Sequence, residues 1–259
     1  MFKFLYNIND VYKPTFKLYH YQGDLYRLVF FNCRQQGYER KTRTPKISNE
    51  LEKERTSLSR TKRSIREICL CNDFTYFCTI TINSINCDRF SLQQCQDLLH
   101  KTLYNYSRLK NHTNKFKYIF ITEKHKNGAF HFHGLVTSLC TTDIYTNDNG
   151  FLSSHYLEDR IGFVSFSPIK DILKCSNYIT KYITKDCVRN ENNQIYFCSK
   201  GLARADVSYV SAQSFEDSQV LDKDFWSFTN DYCKIKDFYF KNLTPLQQTV
   251  IFNNTPKFS

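Results

Sequence analysis

The stretch Phe130-His131-Phe132-His133-Gly134 restricts this chain more than any other. Polar and apolar residues alternate through it, the period of a half-buried strand. Lys117-Tyr118-Ile119-Phe120-Ile121-Thr122-Glu123 before it is apolar and rich in β-formers, and Asn127-Gly128 between them is turn chemistry. The pattern therefore predicts a hairpin, with Leu135-Val136-Thr137 continuing the second arm. Side chains two apart share a face, so His131 and His133 should project together while Phe132 enters a core.

Two imidazoles on one strand face, with a carboxylate across the hairpin, can chelate a divalent metal. Glu123 is the candidate carboxylate. Nitrogen and oxygen ligands with open positions suit Mg or Mn, which must still accept a substrate oxygen. Two histidines at this spacing also arise by chance as ordinary core or surface residues, so the rest of the chain must decide.

The chain has 259 residues, with 36 Lys and Arg against 25 Asp and Glu and a net charge of +11. An anionic partner follows, and nucleic acid fits it best. No apolar run is long enough to enter a membrane, and the N-terminus does not read as a signal peptide. The 11 cysteines are odd in number and form no CxxC pair. They read as reduced thiols used as small hydrophobes, which with the absent export signal points to the cytoplasm of a bacterial host.

Taken in order, residues 15–33 suggest a hairpin turning at Gln22-Gly23-Asp24. Between Arg34 and Arg66 stand eleven Lys and Arg against four Glu. A helix capped by Ser48 and running to about Leu70 carries only a thin apolar seam of Leu51, Leu58, Ile65 and Ile68. Its cations Arg55, Arg60, Lys62, Arg63 and Arg66 are candidates for the DNA backbone, unless the helix is simply solvated. Residues 75–82 are a β-rich strand. Ser91-Leu92-Gln93-Gln94 is a capping box opening a helix to about Asn111. Residues 138–160 read as a long loop, 163–167 as a strand and 195–199 as another.

The second decisive stretch is Asn177-Tyr178-Ile179-Thr180-Lys181-Tyr182-Ile183-Thr184-Lys185. A helix expected over 169–186 puts Tyr178 and Tyr182 on one face, with Lys181 and Lys185 on the same broad side. Ile172, Ile179 and Ile183 form a separate stripe that should face the sheet. Tyrosines at helical spacing are ordinarily amphipathic packing, so this stretch is not decisive by itself.

The whole gives an α+β chain with a largely antiparallel central sheet flanked by helices. Three parts are expected: a basic, DNA-contacting region over 1–70, the main domain over 71–204, and an aromatic, acidic appendage over 205–259.

Phe77-Cys78-Thr79-Ile80-Thr81, then His131-Phe132-His133, then Tyr178 and Tyr182 resemble, in that order, the three motifs of the HUH endonucleases. They look most like those of two-tyrosine rolling-circle replication initiators of small single-stranded DNA phages, plasmids and related bacterial elements. The resemblance spans roughly residues 70–202 and implies an RRM-like palm. It implies a site-specific endonuclease and strand transferase in which a divalent metal (Mg or Mn) on Glu123, His131 and His133 assists a tyrosine nucleophile. The implied product is a 5′-phosphotyrosine link and a free 3′ hydroxyl that primes synthesis. Lys181 and Lys185 would lower the tyrosine pKa or hold the phosphate. The implied partner is single-stranded or origin DNA. No GxxxxGK[ST] motif is present, so a host helicase and polymerase would supply unwinding and synthesis. The alternatives are a transposase of the same superfamily and a non-catalytic origin-binding regulator.

Overall fold

The computed structural model describes residues 15–31, 50–109, 116–183, 195–211 and 223–253. These residues are α+β, with two antiparallel sheets, as the sequence leads one to expect. Contacts divide the chain into one unit of residues 48–203 and one of 1–47 with 204–259. This corrects the expected three-part division. The basic helix packs with the main sheet, and the N-terminal hairpin shares a sheet with the chain's last strands.

In the smaller unit, β1 (Thr15–His20) and β2 (Leu25–Phe31) form the expected hairpin. They pair with strands nearly two hundred residues away in sequence, β10 (Asp206–Ser211) and β12 (Cys233–Tyr239). The short β11 (Phe228–Thr229) completes the order β10-β1-β2-β12-β11. Phe16, Leu18, Leu28, Phe225, Phe238 and Leu243 fill its core, with Ile251 of the terminal helix α5 (Pro245–Asn253). Arg27 and Asp237 face each other across β2 and β12 in a two-pronged ion pair of 2.7 and 2.9 Å.

The larger unit holds a seven-stranded sheet in the order β6-β7-β8-β3-β5-β4-β9. Its centre is β3 (Tyr76–Ile82), between β8 (Gly162–Pro168) and β5 (Phe130–Val136). Next to β5 lies β4 (Tyr118–Lys124), and beyond it the edge strand β9 (Tyr196–Cys198). The expected hairpin is β4–β5. Gly128 takes φ 89°, which its missing Cβ permits, and the Asn127 side chain accepts from Ala129 N–H at 3.1 Å.

Strand alternation gives the sheet two cores. Cys78, Ile80, Phe120, Phe132, Val164 and Phe166 point to one face. Helices α2 (Leu92–Tyr106) and α3 (His155–Ile161) supply Cys95, Leu99, Leu103, Leu157 and Ile161 to the same core. Ser91 caps α2 as expected, although Gln94 turns its side chain to the Asp88 amide and not to Ser91.

The opposite face carries Ile119, Ile121 and Leu135, covered by α1 (Glu50–Leu70) and α4 (Ile172–Ile179). The expected seam of α1 is buried at Leu58, Ile65 and Ile68, while its Ser48 cap lies outside the described residues. Ile179 and Ile183 are fully buried and hold the tyrosine segment down. Each such isoleucine contributes about 1.5–3 kcal/mol by leaving water.

Two local expectations are corrected. Residues 138–160 are not a loop: β6 (Ile144–Thr146) and β7 (Leu152–Ser154) form a hairpin that leads into α3. Asn147 accepts from the Asn149 and Phe151 amides in the turn, and Asp143 accepts from the Tyr156 amide at the start of α3. Likewise α4 begins only after Asp171, whose carboxylate caps the Lys174 amide, and tightens into a 3-10 turn over Thr180–Tyr182. It is therefore shorter than the expected 169–186.

Candidate active site

The site lies on the α1/α4 face of the large sheet, at one end of β3, β5 and β4. Register brings Glu123 opposite His131, with Thr81 opposite His131 and Thr79 opposite His133 on the other side. His133 Nε2 stands 2.8 Å from Glu123 Oε2. Thr81 Oγ1 lies 2.9 Å from His131 Nδ1, and Thr79 Oγ1 lies 3.3 Å from His133 Nδ1. Each imidazole is thus oriented from β3 through Nδ1, which leaves Nε2 as the ligating nitrogen.

Burial lowers the pKa of His131 to about 4, with the charges of His125, His133 and Arg89 adding to it. His133 is lowered by burial too, against the opposing pull of Glu123. Both rings are therefore neutral near pH 7, the form that binds metals. Two neutral imidazoles and a carboxylate are a donor set that fits a divalent cation. As they stand, no group of three His, Cys, Asp or Glu among the described residues is arranged to hold an ion. Glu123 is instead hydrogen bonded to His133.

The tyrosine segment meets this trio directly. The Tyr182 ring stacks on His133 with centroids 4.5 Å apart and planes 12° from parallel. Its hydroxyl donates to that of Tyr178 at 2.7 Å. Phe77 packs between them, 6.1 Å from His133 and 5.6 Å from Tyr178. Tyr178 stays 47% exposed, so solvent and a ligand can reach it. The Tyr182 pKa is raised, first by burial and then by its hydrogen bond to Tyr178. This direction is opposite to the lowering expected from the lysines. Lys181 is exposed with Nζ 5.9 Å from the Tyr178 ring centroid, and Lys185 lies outside the described residues.

The basic helix divides into two parts. Arg55, Arg60, Lys62 and Arg63 are exposed, and a groove of about 400 Å³ is lined by Arg55, Arg60 and Arg63 with Thr56 and Ser59. Arg66 instead turns to α4, where Nε donates to Asn177 Oδ1 at 3.2 Å, beside Tyr178.

Several neighbours were not legible as parts of the site. Thr79 and Thr81 share the period of the histidines, but only the β3–β5 register shows that they hold them. His125 follows the hairpin arm and stacks on His131 with centroids 3.6 Å apart. Nothing in its local sequence distinguishes it from a turn residue.

Among the described residues, no helix is long and apolar enough to cross a membrane. No curated protein and no solved structure matches the chain. Residues 75–187, less than half of its length, match the family model of the replication-associated protein ORF2. The stretch runs from the first residues of β3 to just past the tyrosines, so the chain is similar to a replication-associated protein over the segment that builds this site.

Proposed function

We propose that the chain is a replication initiator that nicks single-stranded origin DNA through a tyrosine. The observation that carries this reading is the paired hydroxyls of Tyr178 and Tyr182, 2.7 Å apart, with the Tyr182 ring stacked on His133 of the Glu123–His131–His133 group. The match to a replication-associated family supports it.

A phosphodiester resists attack because its negative charge repels nucleophiles. Glu123, His131 and His133 would hold a divalent ion, Mg or Mn, that when bound polarises the scissile phosphate and offsets the charge developing on it. Thr79 and Thr81 keep the two imidazoles aimed. A tyrosine oxygen attacks phosphorus, the bond from phosphorus to O3′ breaks, and the phenolic proton is made good on the departing 3′ oxygen. The products are a 5′-phosphotyrosine and a free 3′ hydroxyl, with no net redox change or water consumed. Reversal with a new 3′ hydroxyl rejoins strands, and the second tyrosine allows a second cut while the first stays linked. Lys181, beside Tyr178, supplies positive charge for the phosphate.

The experiment is to incubate the protein with a pool of single-stranded oligonucleotides and Mn, resolve covalent adducts on a denaturing gel, and sequence the trapped DNA. The Tyr178→Phe/Tyr182→Phe double variant should form no adduct while keeping its DNA affinity. Adducts in the double variant would move the nucleophile elsewhere. Binding without any adduct in the unmodified protein would favour the regulator reading.

A further inference from the structure

Beside the histidine strand the chain displays an aromatic ring that its own core does not use. Phe90 is 55% exposed, on the loop between β3 and α2. An exposed phenylalanine on a loose loop would mean little. This loop is pinned: the Asp88 carboxylate accepts from Phe90 N–H at 2.9 Å, Asp88 N–H donates to Gln94 Oε1 at 3.2 Å, and Arg89 C=O accepts from Phe130 N–H at 3.0 Å. Phe130 precedes His131, so the loop is fastened to the strand that carries the candidate ligands.

The surroundings are cationic. The Arg89 guanidinium lies 5.5 Å from the Phe90 ring centroid, and its charge is felt at His131. The ring leans on the hairpin turn, where Gly128 leaves room: a Cβ there would stand 3.6 Å from Phe90 Cδ1 and 3.9 Å from Lys124 Cε. Lys124, His125 and Lys126 of that turn are exposed, and His125 stacks on His131. The nearby Asp88 carboxylate is turned back on the loop's own amide. Positive charge and an open aromatic face therefore run from the candidate active site around the tip of the β4–β5 hairpin. Such a combination suits an unpaired nucleic acid strand, because every base has a face to stack and every phosphate a charge to match.

We propose that Phe90, Arg89, Lys124 and Lys126 form a subsite for single-stranded DNA next to the cleavage position. Phe90 stacks one unpaired base, and the three cations hold the phosphates on either side. The pinned loop preorganises the platform, so little ordering is required when the strand arrives. The inference rests on the nicking function proposed above for the choice of DNA as ligand.

The test measures binding by fluorescence anisotropy with a chelator present, so that nothing is cleaved. The probes are a labelled oligothymidylate and an abasic oligomer of the same length, which carries the same phosphates without bases. The unmodified protein should prefer the oligothymidylate, and Phe90→Ala should reduce that preference roughly fivefold or more, the usual effect of losing one stacked base. Phe90→Trp should keep the preference and show quenched indole emission on binding, beyond the background of Trp226. Arg89→Gln with Lys126→Gln should weaken both oligomers and lower the salt slope by about 0.7 for each phosphate no longer neutralised. An unchanged preference in Phe90→Ala, with no quenching in Phe90→Trp, would overturn the stacking platform and leave the ring as a cover for the hairpin turn. The same proteins run in the adduct assay separate the two proposals. Loss of preference without any adduct in the unmodified protein keeps the subsite and removes the nickase; adducts with an unchanged preference do the reverse.

Discussion

The Tyr182 hydroxyl donates a 2.7 Å hydrogen bond to the Tyr178 hydroxyl, while the Tyr182 ring lies flat against His133. The two tyrosines are therefore not equivalent. Tyr178 is the more open of the pair and its oxygen accepts the bond. Tyr178→Phe should reduce single-turnover adduct formation more than Tyr182→Phe. Tyr182→Phe removes a donor to the neighbouring oxygen and should cost about tenfold in rate, the order expected for a hydrogen bond to a charge-bearing group. Phenylalanine keeps the ring contacts, so both variants should melt close to the parent. Equal losses in the two variants would mean that the tyrosines are interchangeable.

Thr81 holds the imidazole of His131 through Nδ1 at 2.9 Å. Thr81→Val keeps the branched shape favoured in strands but removes the hydroxyl. Calorimetric titration with Mn should show affinity roughly 10–100-fold weaker, as for other groups that orient a ligating histidine. DNA affinity in chelator should not change, because phosphate contacts supply it. Unaltered Mn binding would mean that Thr81 does not orient a ligand.

Acid should destabilise the metal-free protein. Burial lowers the pKa of His131 to about 4, and also lowers those of His133 and His100, the last packed on Phe197. In the unfolded chain these groups return to about 6.5. Between the two values the unfolded state binds more protons, so stability rises with pH across that window. Melting temperature in chelator should hold steady above about pH 6.5 and fall as the pH is lowered toward about 4. A flat profile over that range would contradict the burial of these rings.

Gly134 sits where β5 crosses beneath Phe120. A Cβ there would come within 2.3 Å of both Ile119 O and Phe120 Cδ1. The ring can shift but the carbonyl belongs to the paired strand. Gly134→Ala should cost roughly 1–3 kcal/mol, the range for overpacking a close-packed core, and is measured by urea unfolding. A loss near zero would show that β4 and β5 can move apart freely.

The arginines of α1 should separate by assay. Replacing Arg55, Arg60 and Arg63 with Gln should weaken single-strand binding and reduce the salt slope by about 0.7 for each phosphate released from its cation. Arg66→Gln removes the cation that meets Asn177 beside Tyr178, and should lower adduct formation more than binding. Identical behaviour of all four would return Arg66 to the general basic surface.

The features legible in the sequence are mostly local. The β4–β5 hairpin was legible because alternation and an Asn-Gly turn lie within about twenty residues and need no outside partner. Helix α2 was legible from its cap and stripe, and the burial of Ile179 and Ile183 from helical spacing. The side-by-side projection of His131 and His133 followed from the pleat alone. Residues 144–154 were not legible, since strands of three residues carry too short a pattern and exist through their pairing and their Asx turn. The domain division was hidden because β1 and β2 find their neighbours only after Ala205, and no local signal encodes so distant a pairing. The surroundings of the site were decided in the same way. Thr79 and Thr81 meet the histidines through the β3–β5 register, Arg66 meets Asn177 by the packing of α1 on α4, and the 3-10 turn at Thr180–Tyr182 sets how the two phenols meet. Local periodicity fixes which face a side chain takes; only packing between remote segments fixes what it faces.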